Sequence, residues 1–225
     1  MLKKENYQIG ILTRNKRSEE AIITGKILHL DGDPKYSKKS YMYYKQLGLN
    51  AVVKNIPEYR QPKEVYRLLK MYNPDILIIT GHDSMLKKGR DFYNIYNYKN
   101  SKYFVETVKE ARRYDRDYHK NLVIFAGACQ SYFEAIIQAG ANFASSPARI
   151  LIDYLDPLRL ANKIAITDNY KYVSMDEIYK DLRDGKEGID GVGGMGKMIK
   201  TQNPLKYWKN NKYREMLQTC NKIVI

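Results

Sequence analysis

Hydrophobic and polar positions alternate along this chain in blocks that switch between two periods. Short aliphatic runs at 26–30, 51–53, 75–80 and 122–126 are continuous rather than alternating, the pattern of strands covered on both faces, and glycine or proline bounds most of them. Between them the apolar positions recur at helical spacing. Val65, Leu68, Leu69 and Tyr72 fall at i, i+3, i+4 and i+7 after Pro62, and Asn73-Pro74 stops that helix. Pro34 opens a helix over 34–47 that Gly48 is placed to end. Ser101 can cap a helix whose Phe104, Val105, Val108 and Ala111 form one face. Ser131 and Glu134 have capping-box spacing, and predict a helix running through Ile136 and Ile137 to Gly140. A strand over 141–144, a helix opening at Asp156-Pro157 and a last strand over 163–167 complete the series. This strand-helix alternation predicts an α/β fold with a mostly parallel sheet and helices on both faces.

The polar residues that close two of these strands carry the chemistry. ILIIT runs into Gly81-His82, and about fifty positions downstream LVIFA runs into Gly127-Ala128-Cys129. Parallel sheets place their functional groups at the carboxyl ends of their strands, and strands joined by one crossover are commonly neighbours. A helix opening at Ser131 would point its positive end at Cys129, and an imidazole nearby would complete an activated thiol. Taken singly, a free cysteine is usually a small buried hydrophobe and a histidine after a strand a satisfied loop residue. Taken jointly, their placement points to nucleophile and base.

Composition narrows the classes without choosing among them. A chain of 225 residues, 44% hydrophobic, is long enough to bury a full core as one large domain. No apolar run approaches the roughly 20 residues of a membrane span, and the opening MLKKENYQIG lacks the apolar block of a secretory signal. A soluble protein of the cytoplasm is expected. Cys129 and Cys220 are too few for a disulfide framework. A net charge of +14 suits acidic partners or nucleic acid, but the basic residues are dispersed and no nucleic-acid-binding signature accompanies them. Nucleic acid is therefore not the expected partner, and neither metal nor organic cofactor is needed for a thiol nucleophile.

Other motifs compete for the site. Gly127-Ala128-Cys129-Gln130-Ser131 approximates a nucleophile elbow of a cysteine-dependent amidotransferase, whose histidine follows its cysteine; here His29, His82 and His119 all precede Cys129. His119 precedes its strand and belongs at the opposite edge. His29-Leu30-Asp31-Gly32-Asp33 approaches a strand's carboxyl end, and its aspartates could hold a metal, close a turn or receive a basic side chain. The run from Gly191 to Met198 matches G-x-G-x-x-G, but it lacks a preceding hydrophobic strand and the hydroxyl of a P-loop, which leaves a flexible loop near the active edge. A non-enzymatic basic scaffold that binds acidic proteins also fits the composition.

The strand, Gly-His, spacer, strand, Ala-Cys order resembles the caspase-like cysteine peptidases, with an α/β sandwich and the dyad at the carboxyl edge. GKILHLDGD, LIITGHDS, SKYFVETVKEAR and LVIFAGACQSYFEAIIQAGANFASSP, which together span residues 25–147, resemble the YabG family of sporulation-specific peptidases. That resemblance implies proteolytic processing of spore coat and cortex-associated proteins in the sporulating cell. It makes Cys129 the nucleophile and His82 the general base and acid. It also implies an oxyanion hole from the backbone amides of Cys129 and Asp83. Where caspases have Gly after the histidine and Gln-Ala-Cys-x-Gly at the nucleophile, this chain has Asp83 and Gly-Ala-Cys-Gln-Ser, so acidic P1 specificity does not carry over.

A basic P1 residue is expected instead, with Asp83, Asp156 and Asp168 as acidic partners. The stretch 145–156, which includes Ser145 and Ser146, is expected to wall the substrate pocket. The domain reading is an N-terminal extension or linker remnant over 1–24, a peptidase domain over 25–200 and a C-terminal tail over 201–225. Family members usually carry an extra N-terminal β-rich segment, so the chain reads as a trimmed peptidase unit.

Overall fold

The structure, a computed structural model, describes residues 21–86 and 91–201. In chain order the elements are β1 (Ala21–Ile23), β2 (Ile27–Asp31), α1 (Pro34–Gln46), β3 (Ala51–Asn55), α2 (Gln61–Tyr72), β4 (Ile76–Thr80), α3 (Ser101–Asp117), β5 (Val123–Ala126), α4 (Phe133–Gln138) and β6 (Phe143–Ser145). They continue as α5 (Asp156–Ile166), β7 (Tyr172–Val173), α6 (Met175–Tyr179), α7 (Gly185–Gly188), β8 (Ile189–Gly191), β9 (Gly194–Met195) and β10 (Ile199–Thr201).

Six strands form the central sheet in the order β3-β2-β4-β5-β6-β8, parallel except for β8, which runs antiparallel to β6. Alternate residues of each strand feed two cores, one on either side of the sheet. Leu28, Leu30, Leu77, Ile79, Ile124 and Ala126 pack under α2, α3 and α4 with Leu69, Phe104 and Val108. Ile27, Ile76, Ile78, Val123 and Phe125 pack under α1 and α5 with Tyr44, Leu158, Ala161 and Ile164. The protein is thus an α/β sandwich on a mainly parallel sheet. Covering both faces explains why these strands are continuous apolar runs in the sequence.

The helix ends follow their residues. Asp33 caps α1 through Lys35 N and Tyr36 N with Pro34 in the first turn, and Asn73 ends α2 in the left-handed region at φ 43°.

Several local expectations are corrected. Residues 163–167 finish α5 rather than forming a strand. Leu158, Ala161 and Ala165 continue the helical stripe begun at Asp156, and Thr167 Oγ1 donates back to the Lys163 carbonyl. Ser101 is the first helical residue of α3, and Asn100 takes the cap position. The capping box at Ser131 and Glu134 does not form: Tyr132 occupies the α4 cap position without a side-chain bond, and α4 is only 6 residues long. Glu134 pairs with Arg149 instead. The run from Gly191 to Met198 is not at the active edge. Because β8 is antiparallel, Gly191 lies beside Phe143, the first residue of β6, and Lys197 Nζ bonds the Asn121 carbonyl ahead of β5.

β1 pairs antiparallel with β10, so residues 21–23 and 199–201 meet in a small separate sheet. Most of the expected extension and tail, with Cys220 and Tyr207-Trp208, lies outside the described residues.

Candidate active site

The register of the parallel strands assembles the site. Ile79 of β4 pairs with Ala126 of β5, and His82 and Cys129 each stand three residues beyond that pair. Asp31 of β2 pairs with Thr80 of β4, and Asp33 and His82 each stand two residues beyond. One cavity of about 280 Å³ opens at this edge. His82 and Cys129 both line it, together with His29, Asp31, Tyr36 and Thr80 on one side and Ile152, Asp153 and Tyr154 on the other. The His82 side chain is 58% exposed. Cys129 is half-buried, and its thiol faces the Ile152 carbonyl at 4.0 Å.

His82 is held from two directions. Its Nε2 bonds Asp33 Oδ2 at 2.9 Å, and its backbone N–H donates to Glu58 Oε1 at 2.7 Å. The bond from the imidazole holds the Asp33 carboxyl below its usual range. Tyr36, in the first turn of α1, meets the His82 ring edge-on at 6.0 Å.

The Cys129 segment is braced from the far side. Gly127 adopts φ +118°, turning the chain off β5 where a Cβ would lie 2.3 Å from Ser145 Oγ. Ser131 Oγ accepts from Ala128 N at 2.9 Å and donates to Asp83 Oδ2 at 3.0 Å. The buried Asp83 carboxylate also accepts from Ser84 N, Asn100 N and Ser101 Oγ, and burial raises its pKa against those bonds. Amides around both side chains are committed: His82 N to Glu58, Ser84 N to Asp83, Ala128 N to Ser131, and Gln130 N to Ile150 O and Ser146 Oγ. Among the described residues, the amides of Asp83 and Cys129 have no acceptor. The helix argument for a thiolate at Cys129 loses its basis, because α4 is a short helix that does not open at Ser131.

Below the cavity runs a buried polar chain. Tyr44 OH contacts His29 Nδ1 at 3.2 Å, His29 Nε2 contacts Thr80 Oγ1 at 2.7 Å, and Thr80 Oγ1 donates to Asp31 Oδ2 at 2.7 Å. Burial drives the His29 imidazole down to about 3, so it is neutral near pH 7, with both nitrogens engaged. Asp31 Oδ1 accepts from Asp33 N, and burial raises the Asp31 carboxyl. Apart from the neutral His29, no cationic group pairs with Asp31 among the described residues.

The other sequence candidates sit elsewhere. Ser145 and Ser146 are buried, donating to the carbonyls of Ala128 and Ile150. Asp156 is buried against Arg159 and Arg183 N, and Asp168 pairs with Lys200 at the opposite edge. Asp83 faces Ser101 and Ser131. None of these five side chains lines the cavity, whereas Ile152, Asp153 and Tyr154 of the same expected wall do. His119 precedes β5, away from the site. Sequence reasoning missed Glu58 altogether; it named Asp33 only among the aspartates after His29, not as a partner of His82, and Asp153 only as part of the expected wall.

The fold and its carboxyl edge define an α/β domain with a histidine and a cysteine facing one cavity from adjacent parallel strands. Residues 2–203 match the family described as YabG peptidase U57, and the chain belongs to that family. It is 44% identical over 157 residues to the sporulation-specific protease YabG of Bacillus subtilis (strain 168), an alignment covering 70% of this chain and 54% of that protein. The chain therefore spans about half the length of this curated relative. No helix among the described residues is long and apolar enough to cross a membrane.

Proposed function

We propose that this chain is the peptidase unit of a sporulation-associated cysteine endopeptidase that works through a His82/Cys129 dyad. The observation that carries the reading is that both side chains line one cavity at the carboxyl edge of adjacent parallel strands, beside two amides that have no acceptor among the described residues. Cys129 as thiolate attacks the scissile carbonyl carbon, forming the C–S bond while the carbonyl oxygen takes the charge. The amides of Asp83 and Cys129 donate to that oxyanion. His82 then gives its proton to the leaving amine as the C–N bond breaks, and later takes one from the water that hydrolyses the thioester. Membership of the YabG family supports protein substrates of the developing spore, with coat and cortex-associated proteins the proposed targets. The resemblance to caspase-like peptidases accords with this arrangement.

A basic P1 side chain is the proposed preference, and the carboxylates that support it are Asp31 and Asp153, which share the cavity with the dyad. Arg183 also lines the cavity, but Asp184 and the Leu151 carbonyl hold its guanidinium. The test is cleavage of a spore coat extract and of peptides differing at P1 by the wild type, Cys129→Ala and His82→Ala. Loss of cleavage in both folded variants is expected. An inert wild type whose Cys129 also resists iodoacetamide would instead favour a basic scaffold for acidic proteins.

A further inference from the structure

We propose that Asp33 is the positioning residue of His82, fixing its tautomer and ring direction so that Nδ1 is the nitrogen offered to thiol and substrate. This rests on the dyad reading and adds a third member to it. A carboxylate accepts only, so the 2.9 Å bond between Asp33 Oδ2 and His82 Nε2 places the proton of the neutral ring on Nε2. Nδ1 then carries the lone pair, and among the described residues no side chain or carbonyl occupies it.

Asp33 itself is fixed. Its Oδ1 accepts from Lys35 N at 2.7 Å and Tyr36 N at 3.0 Å, which sets the carboxylate plane against the first turn of α1. Its backbone N–H donates to Asp31 Oδ1 at 2.8 Å, and Asp31 is held by Thr80 on the neighbouring strand. Pairing of Asp31 with Thr80 brings Asp33 and His82 level with one another beyond the strand ends. One oxygen thus serves the helix and the other the imidazole. When His82 takes a proton on Nδ1, the imidazolium forms against an anion already in place, with no rearrangement.

The double role separates catalysis from capping. Asparagine and serine both serve as N-caps, so Asp33→Asn and Asp33→Ser keep the α1 function. Serine is too short for His82, and an asparagine amide facing Nε2 donates to it and moves the ring proton to Nδ1. The experiment measures kcat and KM for the wild type, Asp33→Asn, Asp33→Ser and His82→Ala with whichever peptide of the P1 panel the wild type cleaves fastest. It adds urea midpoints and the imidazole ¹⁵N spectrum of His82 in a Cys129→Ala background with and without Asp33→Asn. Expected are a fall in kcat of about 10- to 100-fold in both Asp33 variants, smaller than for a fully buried triad aspartate because this pair is partly exposed, with KM and urea midpoint held. The spectrum is expected to report Nε2–H in the parent and to lose that signature in the asparagine variant. Unchanged kcat in both variants, while His82→Ala is inactive, reduces Asp33 to a helix cap and overturns the inference alone. A raised KM with kcat intact makes it a substrate contact, which also overturns it. Wild-type kcat in His82→Ala removes the dyad reading and this inference with it.

Discussion

Ser131 Oγ donates to Asp83 Oδ2 at 3.0 Å, so the residue after the candidate base is tied to the segment just past the candidate nucleophile. The two strand ends are thereby fixed to each other at the level of the two uncommitted amides. Asp83→Ala would leave Ser101 Oγ, Ser131 Oγ, Ser84 N and Asn100 N without their shared acceptor. A loss of about 3 kcal/mol in urea unfolding is expected, from burying several unpaired donors. Asp83→Asn, which keeps one acceptor oxygen, should lose less stability and still lower the rate of peptide cleavage. An Asp83→Ala protein with the wild-type urea midpoint and rate would remove the brace.

His29 makes stability fall toward acid pH. Burial lowers its folded pKa from 6.5 to about 3, so between those values the unfolded chain binds more protons than the folded one. That contribution is complete above about pH 6.5 and is lost as pH falls toward 3, with a ceiling on the order of 5 kcal/mol. Asp31, raised by burial, has the opposite sense, because its folded carboxyl holds a proton more tightly and stability declines as pH rises through its window. The larger His29 shift should dominate. His29→Gln, measured by urea midpoints at a series of pH values, should flatten the slope below pH 6.5; an unaltered slope would count against the assignment.

The strands that carry His82 and Cys129 were legible because both of their faces are covered, which leaves uninterrupted aliphatic runs with glycine beyond. Their adjacency followed from a single crossover. Residues 163–167 were misread because Ile164-Ala165-Ile166 is a short apolar run that serves a strand or the buried face of a helix equally well. The capping box failed because the Ser131 hydroxyl is used elsewhere: its oxygen, the acceptor a cap would have offered, takes Ala128 N, and its proton goes to Asp83, 48 positions away. Asp33 was readable as a cap from Pro34, but its bond to His82 exists only through the register of β2 on β4. The glycine-rich run was placed at the wrong edge because nothing local marks β8 as the antiparallel strand.

Asp31 and Asp153 separate P1 preference from catalytic competence. Asp31 lies at the cavity floor with Thr80 Oγ1 and Asp33 N as its donors, while Asp153 accepts from Leu155 N in a two-residue turn at the wall. Replacing either by asparagine keeps the size and removes the charge; at Asp31 it also turns one of two accepting oxygens into a donor facing Thr80 Oγ1 or Asp33 N, which lowers the rate at every P1 residue. Asp31→Asn should lower kcat/KM for peptides with lysine or arginine at P1 by about 10- to 100-fold, with a smaller change for neutral P1 residues. Asp153→Asn, at the more open position, should act in the same direction and more weakly. Equal losses across the whole P1 panel would assign both carboxylates to structure rather than to recognition.

Gly127 tests how much of the site depends on the turn off β5. Its φ of +118° lies where L side chains are strained, and an added Cβ would stand 2.3 Å from Ser145 Oγ and 3.3 Å from Ile136 Cδ1. Ser145 has little room to yield, since it is fully buried and bonded to the Ala128 carbonyl at 2.8 Å. Gly127→Ala is therefore expected to destabilise the fold by about 2–4 kcal/mol, combining backbone strain with overpacking. Any relaxation must move Ala128 and Cys129, because the turn leads directly into them. Peptide cleavage should then fall well beyond the fraction of protein unfolded, and a second change, Ser145→Ala, should recover part of the stability by vacating the colliding oxygen. Full activity and a wild-type melting temperature in Gly127→Ala would mean that the Cys129 segment is not fixed by this turn.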